Sequence, residues 1–555
     1  MSNSRLRIED CGLRYEDITS RARPWPSVFV PVFLAACLLS FASCKTGPDY
    51  RRPLMNTPAN YKSVTLKAPG QPGLRHDWWR LFNDSELNAL VEEALRANLD
   101  LKAAMARVAQ SRASAQSVKS SFFPVVTLDP SAARSRTPGA NTSDSGASGL
   151  SEVSSAISQV STLITQVQSL AEGNTSGTNT SGSSQGGTAD GTSGTSLGGT
   201  SSATTSNRFQ VPFDLSYEID IWGRARRSYE SAKAQALASV FDLEVVRQTL
   251  VADLARNYFN LRSFDAQYEI LARNLVLYQE QVDLTEDQYK AGLISETSLL
   301  QATVQLESTR AQAVDTKRQR ADLEHAIAIL LGRAPADFSS DVRPLEATPP
   351  EIPVGLPADV LRQRPDVAEA EQNLASSCAD IGVAKADFFP VVKLGGSAGF
   401  QSAELKNVLD WRNLAWSFGP SVSAPLFKGG QLRANLRKAE ARYDELDATY
   451  RKRVLSAFVD VEDSLTDLQM RADAAGSQAK AVAAAREYLR LTQIEYRTGI
   501  TDYLRVVNAE QTLLSNELLE SQILNQRMVS TVLLIKALGG GWEVPVSMPT
   551  KDGNA

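Results

Sequence analysis

Histidine is nearly absent from this chain: His76 and His325 are the only two, far apart and outside any HExxH or Cys/His cluster. A zinc or haem site would have to be assembled almost wholly from carboxylates, so no metal and no cofactor is expected. Cysteine is almost as scarce. Of Cys11, Cys37, Cys44 and Cys378, the first three precede or end an N-terminal apolar segment, which excludes a disulfide framework. Cys378, in LASSCADIGVAK, reads as a small buried side chain on a helix, because no histidine stands near it to activate the thiol. No GxxxxGK[ST] loop occurs. GGSAG at 395–399 follows the strand-like FFPVVKL with no helix opening at it, so its glycines read as strand and turn residues. With 22% charged residues and a net charge of -5, nothing indicates a nucleic-acid partner, and no catalytic constellation emerges.

Long hydrophobic runs are missing too. VFVPVFLAACLLSFA, residues 28–42, is broken by Pro31 and preceded by Arg21 and Arg23, a signal-peptide pattern with a long n-region that carries acidic residues. No later run of about 18 apolar residues exists, so any membrane crossing must use strands. Two cysteines compete for the start of the mature chain. Leu34-Ala35-Ala36-Cys37 has leucine at the position three before the cysteine. Cys44 leaves a fuller apolar core and keeps LLSFA out of the mature chain. Cys44 is the preferred lipid attachment site, with Cys37 the alternative. This makes 1–43 the signal peptide and 44–86 a lipidated segment held by outer-membrane lipid.

What the chain does have is an internal repeat. At an offset of 207, Gly223 matches Gly430, Tyr289 matches Tyr496, Gly292 matches Gly499, Ala302 matches Ala509 and Gly332 matches Gly539. SSFFPVVTL and ADFFPVVKL recur at 266 instead, so the first half carries 59 extra residues. They fall within a Ser/Gly/Thr/Asn tract at 139–206, interrupted by one short amphipathic stretch. The repeats span 87–340 and 341–543, followed by a tail, 544–555.

FQVPFDLSYEIDI alternates: Phe209, Val211, Phe213, Leu215, Tyr217, Ile219 and Ile221 face one way, and Gln210, Asp214, Ser216, Glu218 and Asp220 the other. The phase returns in the second half, with Trp416, Phe418, Val422 and Leu426 opposite Ser417, Ser421 and Ser423. Strands are expected at about 125–136, 207–222, 391–400 and 413–427. Between Gly223 and Gly292 lie 68 residues without Gly or Pro, and the matching 68 contain only Gly476. Leu254, Leu261, Tyr268, Leu275, Val282 and Tyr289 recur every seven residues, with Phe264, Leu271 and Tyr278 three further on, as a coiled-coil seam requires. Helical hairpins are expected over 224–331 and 431–538, with Gly223 and Gly430 turning strand into helix and Gly292 and Gly499 at the reversals.

Four amphipathic strands cannot satisfy their edges in lipid alone. The fold expected is mainly α with a membrane β part: two repeats of helix, strand, strand, long helix, helix, assembled as a homotrimer with a twelve-stranded outer-membrane β-barrel and a twelve-helix periplasmic α-barrel. Such an assembly is a conduit, and a pore-less coiled-coil envelope lipoprotein is the alternative of a different class. The insertion 139–206 joins the first two strands at the end away from the helices, so it is expected outside the cell.

CKTGPDYRRP, DWWRLFNDSELNALVEEAL, FDLSYEIDIWGRAR, LPADVLRQRPDVAEAE and VAKADFFP together resemble the TolC-like outer membrane factors, more closely the NodT branch of efflux lipoproteins. The resemblance implies a homotrimer in the outer membrane extending into the periplasm, partnered by a periplasmic adaptor and an inner-membrane RND pump, and exporting small molecules. Type I secretion or metal efflux is the alternative within the class. It places YKAGLISETS and YRTGITDYLR at the periplasmic tips. It also implies an acidic residue nine positions after the tip glycine, where this chain has Asn508, with Asp502 and Arg505 before it. A constriction lined by Arg505 and Asn508 would favour anions, unless Arg505 pairs with Asp502 or Glu510. Asp214, Glu218 and Asp220 would make the barrel lumen prefer cations, unless Arg224, Arg226 and Arg227 neutralise them.

Overall fold

The computed structural model describes residues 45–55, 61–62, 75–137, 204–345, 348–350, 352 and 363–542. Cys37, Cys44, residues 139–203 of the insertion 139–206 and the tail 544–555 lie outside these residues, while 204–206 of the insertion already belong to a strand. The chain divides into a helical unit (residues up to 123, 218–392 and from 422) and a strand unit (124–217 and 393–421).

In the helical unit, DWWRLFNDSEL folds as a 3-10 turn, Trp78–Phe82, that Asn83 ends in the left-handed conformation. Helix α1, Ser85–Ala97, then starts at Asp84, whose carboxylate accepts hydrogen bonds from the Glu86 and Leu87 amides. Helix α2 is Leu99–Lys119. Two long helices, α3 at Arg224–Lys290 and α6 at Gln431–Arg497, are each 67 residues and each roughly 100 Å long. Each is followed by a 35-residue helix, α4 at Glu296–Leu330 and α7 at Tyr503–Ala537. Every one of these bounds in the second half stands 207 residues beyond its counterpart. Helix α5, Pro365–Ala386, opens with Arg364-Pro365-Asp366. Proline takes the first helical position, and Arg364 bonds Asp366, Asp460 and the Ala537 carbonyl.

No intrinsic propensity holds a helix of this length straight; packing does. Leu254, Leu261, Leu271 and Tyr278 of the expected seam are buried on α3, Tyr268, Leu275 and Val282 half-buried, and Tyr289 is exposed. The largest apolar cluster packs Trp78, Trp79, Phe82, Leu87 and Val91 against Tyr258, Phe259 and Leu261 of α3, Ile327 of α4, and Met528, Val532 and Ile535 of α7. A second joins Val367 and Leu374 of α5 to Tyr450 and Val454 of α6. Cys378 is buried on α5, its thiol donating to the Pro48 carbonyl at 3.6 Å.

One ionic network was not legible in the pattern. Arg262 and Asp265, both fully buried on α3, bond each other at 2.9 Å. Arg262 also bonds Glu86 and Ser340, and Asp265 is held by Arg320 of α4. Alongside, Tyr258 and Arg343 donate to Asp84. Burial works to raise the Asp84 carboxyl, but those hydrogen bonds, the capping amides and the Arg343 charge hold it below its ordinary range.

The strand unit is one sheet. Strands β1, Val125–Leu128, and β2, Ser131–Thr137, both pair antiparallel with β3, Thr204–Ile219; β3 neighbours β4, Val391–Ser402, which neighbours β5, Leu414–Ser423. The single strand expected over 125–136 is thus interrupted at Asp129-Pro130, since proline brings no N–H to the ladder, yet the register is unchanged: Leu128 faces Phe213 and Ser131 faces Gln210. The strand expected over 413–427 stops at Ser423, two residues before Pro425. GGSAG lies wholly within β4. Among the described residues no helix is long and apolar enough to cross a membrane.

Candidate functional site

The strand-to-helix junction is built on Gly223, with a φ of 79° at the N-cap of α3, and its counterpart Gly430, with a φ of 86° at that of α6. Two acids next to Gly223 are spoken for. Glu218 holds Arg224 through both oxygens, at 2.7 and 2.9 Å, and Asp220 accepts from the Ala225 and Arg226 amides and from the Arg226 guanidinium. Glu218 and Asp220 are therefore neutralised within the chain, leaving Asp214 as the acid on that strand without a described ion pair.

Arg227 does something else. It is buried and reaches the N-terminal segment, donating to the Thr46 and Gly47 carbonyls and to Asp49, as well as to Glu230. The Thr46 amide bonds the Trp222 carbonyl, and Trp222 stacks on Phe389 at 4.6 Å. Lys45, adjacent to Cys44, bonds Glu230 at 2.9 Å. Residues 45–49 are thus strapped to the first turn of α3. The sequence signal for this strap was GPDYRRP, whose glycine and acid are the groups that Arg227 holds.

At the helical reversals, Gly292 and Gly499 have φ of 70° and 77° with open space around them, so the backbone conformation alone calls for glycine. Both close the same motif. The Gly292 and Leu293 amides bond the Tyr289 and Gln288 carbonyls, and the Gly499 and Ile500 amides bond those of Tyr496 and Glu495. Leu293 and Ile500 are left 75% and 76% exposed, apolar groups offered at each turn. Asp502 caps α7 by accepting from the Arg505 amide. The Arg505 guanidinium pairs with neither Asp502 nor Glu510; it reaches back across the turn to Glu495 at 3.5 Å. Asn508 is exposed on the same helix.

Glu510 faces inward. Burial pushes its carboxyl up to about 7, and its charge in turn contributes, after burial, to raising the Tyr278 and Tyr503 hydroxyls. Glu510 Oε2 and Tyr503 Oη are buried with no hydrogen-bond partner among the described residues. From the sequence, Glu510 stands out only as a possible partner of Arg505.

In the sheet, a Cβ added to Gly396 of β4 would touch Phe418 of β5 at 3.0 Å and Leu215 of β3 at 3.8 Å, which places all three on one face. Gln210 of β3 donates to Gln401 of β4 on the other face. The expected alternation therefore runs coherently across the strands. Val126, Phe213 and Phe418 stand more than half exposed on the apolar face, and Trp416 is 76% exposed. Strand β5 and the β1/β2 side are the two edges of the sheet.

A chain with this order of elements matches the family described as "Outer membrane efflux protein" over residues 174–333 and 356–540. This chain belongs to that family. Within it, the chain is 30% identical over 525 residues to the solvent efflux pump outer membrane protein SrpC of Pseudomonas putida, covering 93% of this chain and 98% of that one. It is 27% identical over 510 residues to the cation efflux system protein CusC of Escherichia coli, covering 91% and 97%. Among solved structures, the outer-membrane channel OprN aligns with a TM-score of 0.74 at 30% identity, over 90% of this chain and all of that one. The open state of the Neisseria gonorrhoeae MtrE outer membrane channel aligns with a TM-score of 0.69 at 25% identity, over 90% and 99%. The family is one of transport proteins of the outer membrane, and this member is an outer-membrane protein extending into the periplasm.

Proposed function

We propose that this chain is the outer-membrane channel of a tripartite efflux system: a passive homotrimeric conduit that takes small molecules from a periplasmic adaptor and an inner-membrane RND pump. The observation that carries this reading is the sheet, with one apolar face, one polar face and two unpaired edges. In hydrocarbon those edges cost several kcal/mol per orphaned group, and closure with further copies removes the cost. Three copies give a twelve-stranded barrel with polar residues lining water, and their long helices a twelve-helix periplasmic barrel. The exposed Leu293 and Ile500 at the tip turns suit adaptor contact. Asp502, Arg505 and Asn508 stand at the candidate constriction.

Lipidation at Cys44 rather than Cys37 is supported by the strap, because Lys45 already sits on Glu230 and Thr46 on Trp222. Mass spectrometry of the N-terminal lipopeptide decides between the two cysteines. The insertion 139–206 is assigned to the cell exterior, where protease shaving of intact cells should cut it; cleavage only after envelope disruption would reverse that assignment. Reconstitution tests the whole reading: a detergent-stable trimer that conducts ions supports it, and a non-conducting coiled-coil protein would favour a structural lipoprotein instead.

A further inference from the structure

The β2–β3 pairing places two arginines on the apolar face of the sheet. Residues directly opposite in an antiparallel pair share a face. Leu128 is opposite Phe213 and Ala132 opposite Phe209, and the same register then sets Arg134 against Asn207 and Arg136 against Thr205. Arg134 and Arg136 thus continue the face that carries Leu215, Phe213 and Phe209, at the end of the hairpin farthest along the strands from residues 124 and 217. Neither has a carboxylate partner among the described residues, and both are exposed.

Their level is set by strand length. From Tyr217 to Phe209 the apolar face runs about 27 Å along the strand; at a tilt of roughly 40° that is about 21 Å of height, close to the ~25 Å apolar band of membrane barrels. Arg134 begins where that band ends. Further across the sheet, on the apolar face, Phe400 near the end of β4 lies 6.4 Å from Trp411, itself 77% exposed, in the turn before β5. Arg412 stands beside Trp411, again with no described ion pair, whereas Lys406 in the same turn is paired with Glu404.

We propose that Arg134 and Arg136 form a phosphate-binding strip for the phosphorylated headgroup of the outer-leaflet glycolipid. Two arginines spaced by about 7 Å along one strand face offer planar, permanently charged donors, and phosphate oxygens accept from them in bidentate geometry. The apolar surface immediately below takes the acyl chains of the same molecule, so the lipid rather than a free anion is the occupant. The polar face, with Gln210, Asp214 and Gln401, has no such pairing of acyl-compatible surface and cation. This inference rests on the barrel reading above, which makes the apolar face the outward one.

The test uses the purified full-length protein, Arg134→Gln/Arg136→Gln and Arg134→Lys/Arg136→Lys, each checked for trimeric mass and single-channel conductance before lipid is added. Binding of diphosphoryl lipid A and of enzymatically dephosphorylated lipid A is then measured. Wild type should bind the diphosphoryl form at least about tenfold more tightly than the dephosphorylated form, the glutamine variant should lose that preference, and the lysine variant should keep part of it. Millimolar inorganic phosphate should fail to displace the lipid. A conducting trimer whose lipid A binding is unchanged in the glutamine variant, or is lost to inorganic phosphate, overturns the inference alone. A protein that is not a conducting trimer overturns the barrel reading and the inference with it.

Discussion

Gly47 and Gly382 meet backbone to backbone: a Cβ on Gly47 would lie 2.5 Å from the Cα of Gly382, and Gly47 itself has a φ of 93°. The contact seats the N-terminal strap on α5 while Arg227 grips it from α3. Gly47→Ala should therefore cost about 1–3 kcal/mol through strain and overpacking, and free residues 45–49 for proteolysis. Gly476→Ala is the control, since Gly476 lies inside α6 with open space around it, and it should stabilise by up to ~1 kcal/mol. Helical melting followed by circular dichroism, with digestion mapped by mass spectrometry, checks both; equal melting of Gly47→Ala and wild type would remove the strap from the stability account.

Arg262→Met should destabilise the helical unit by about 1–3 kcal/mol, because it removes the cation that buried Asp265 shares with half-buried Glu86, while Arg320 still holds Asp265. Adding Asp265→Asn should recover part of the loss, through a coupling of roughly 0.5–3 kcal/mol. Denaturant melts of the four proteins of the cycle measure it. Strictly additive losses would mean that the two side chains act separately.

How much of this was readable beforehand follows from periodicity. The two long helices, their reversals at Gly292 and Gly499 and the alternating strand 209–219 are written in spacing, and spacing survives folding. Arg262 was not readable, because a charged residue next to a heptad leucine looks solvated until α1, α4 and the loop at 340–343 bring carboxylates and hydroxyls around it. Proximity in sequence groups Arg227 with the strand acids. The actual partners, Thr46, Gly47 and Asp49, are about 180 residues away in sequence, and no local pattern links them. Arg505 likewise chose Glu495 across the turn over its own-helix neighbours, since the reversal at Gly499 folds that glutamate back toward it.

Glu510 predicts a pH dependence. An unfolded glutamate titrates near 4.5 and the folded one near 7, so the folded carboxyl is the weaker acid. Stability is then full below about pH 4.5, falls as pH rises toward 7 while the unfolded chain ionises first, and is level above, a loss of ~3 kcal/mol at most. Glu510→Gln should melt above wild type at pH 8 and with it at pH 4.5. Parallel melting curves for the two proteins at every pH would show that Glu510 is solvated after all.

If Arg505 lines the constriction, its positive charge restrains cations. Arg505→Ala should raise single-channel conductance, and Arg505→Glu, which adds a carboxylate beside Glu495, should move the reversal potential in a KCl gradient toward cation preference. Unchanged currents and reversal potentials in both variants would place the narrowest point of the duct elsewhere.

The most direct test of the account is single-channel recording from the purified protein in planar lipid bilayers. A sheet with two open edges that closes into a trimeric barrel predicts discrete, stepwise ion currents from the trimeric fraction. A stable, lipid-inserted protein that carries no current at any voltage would contradict the conduit.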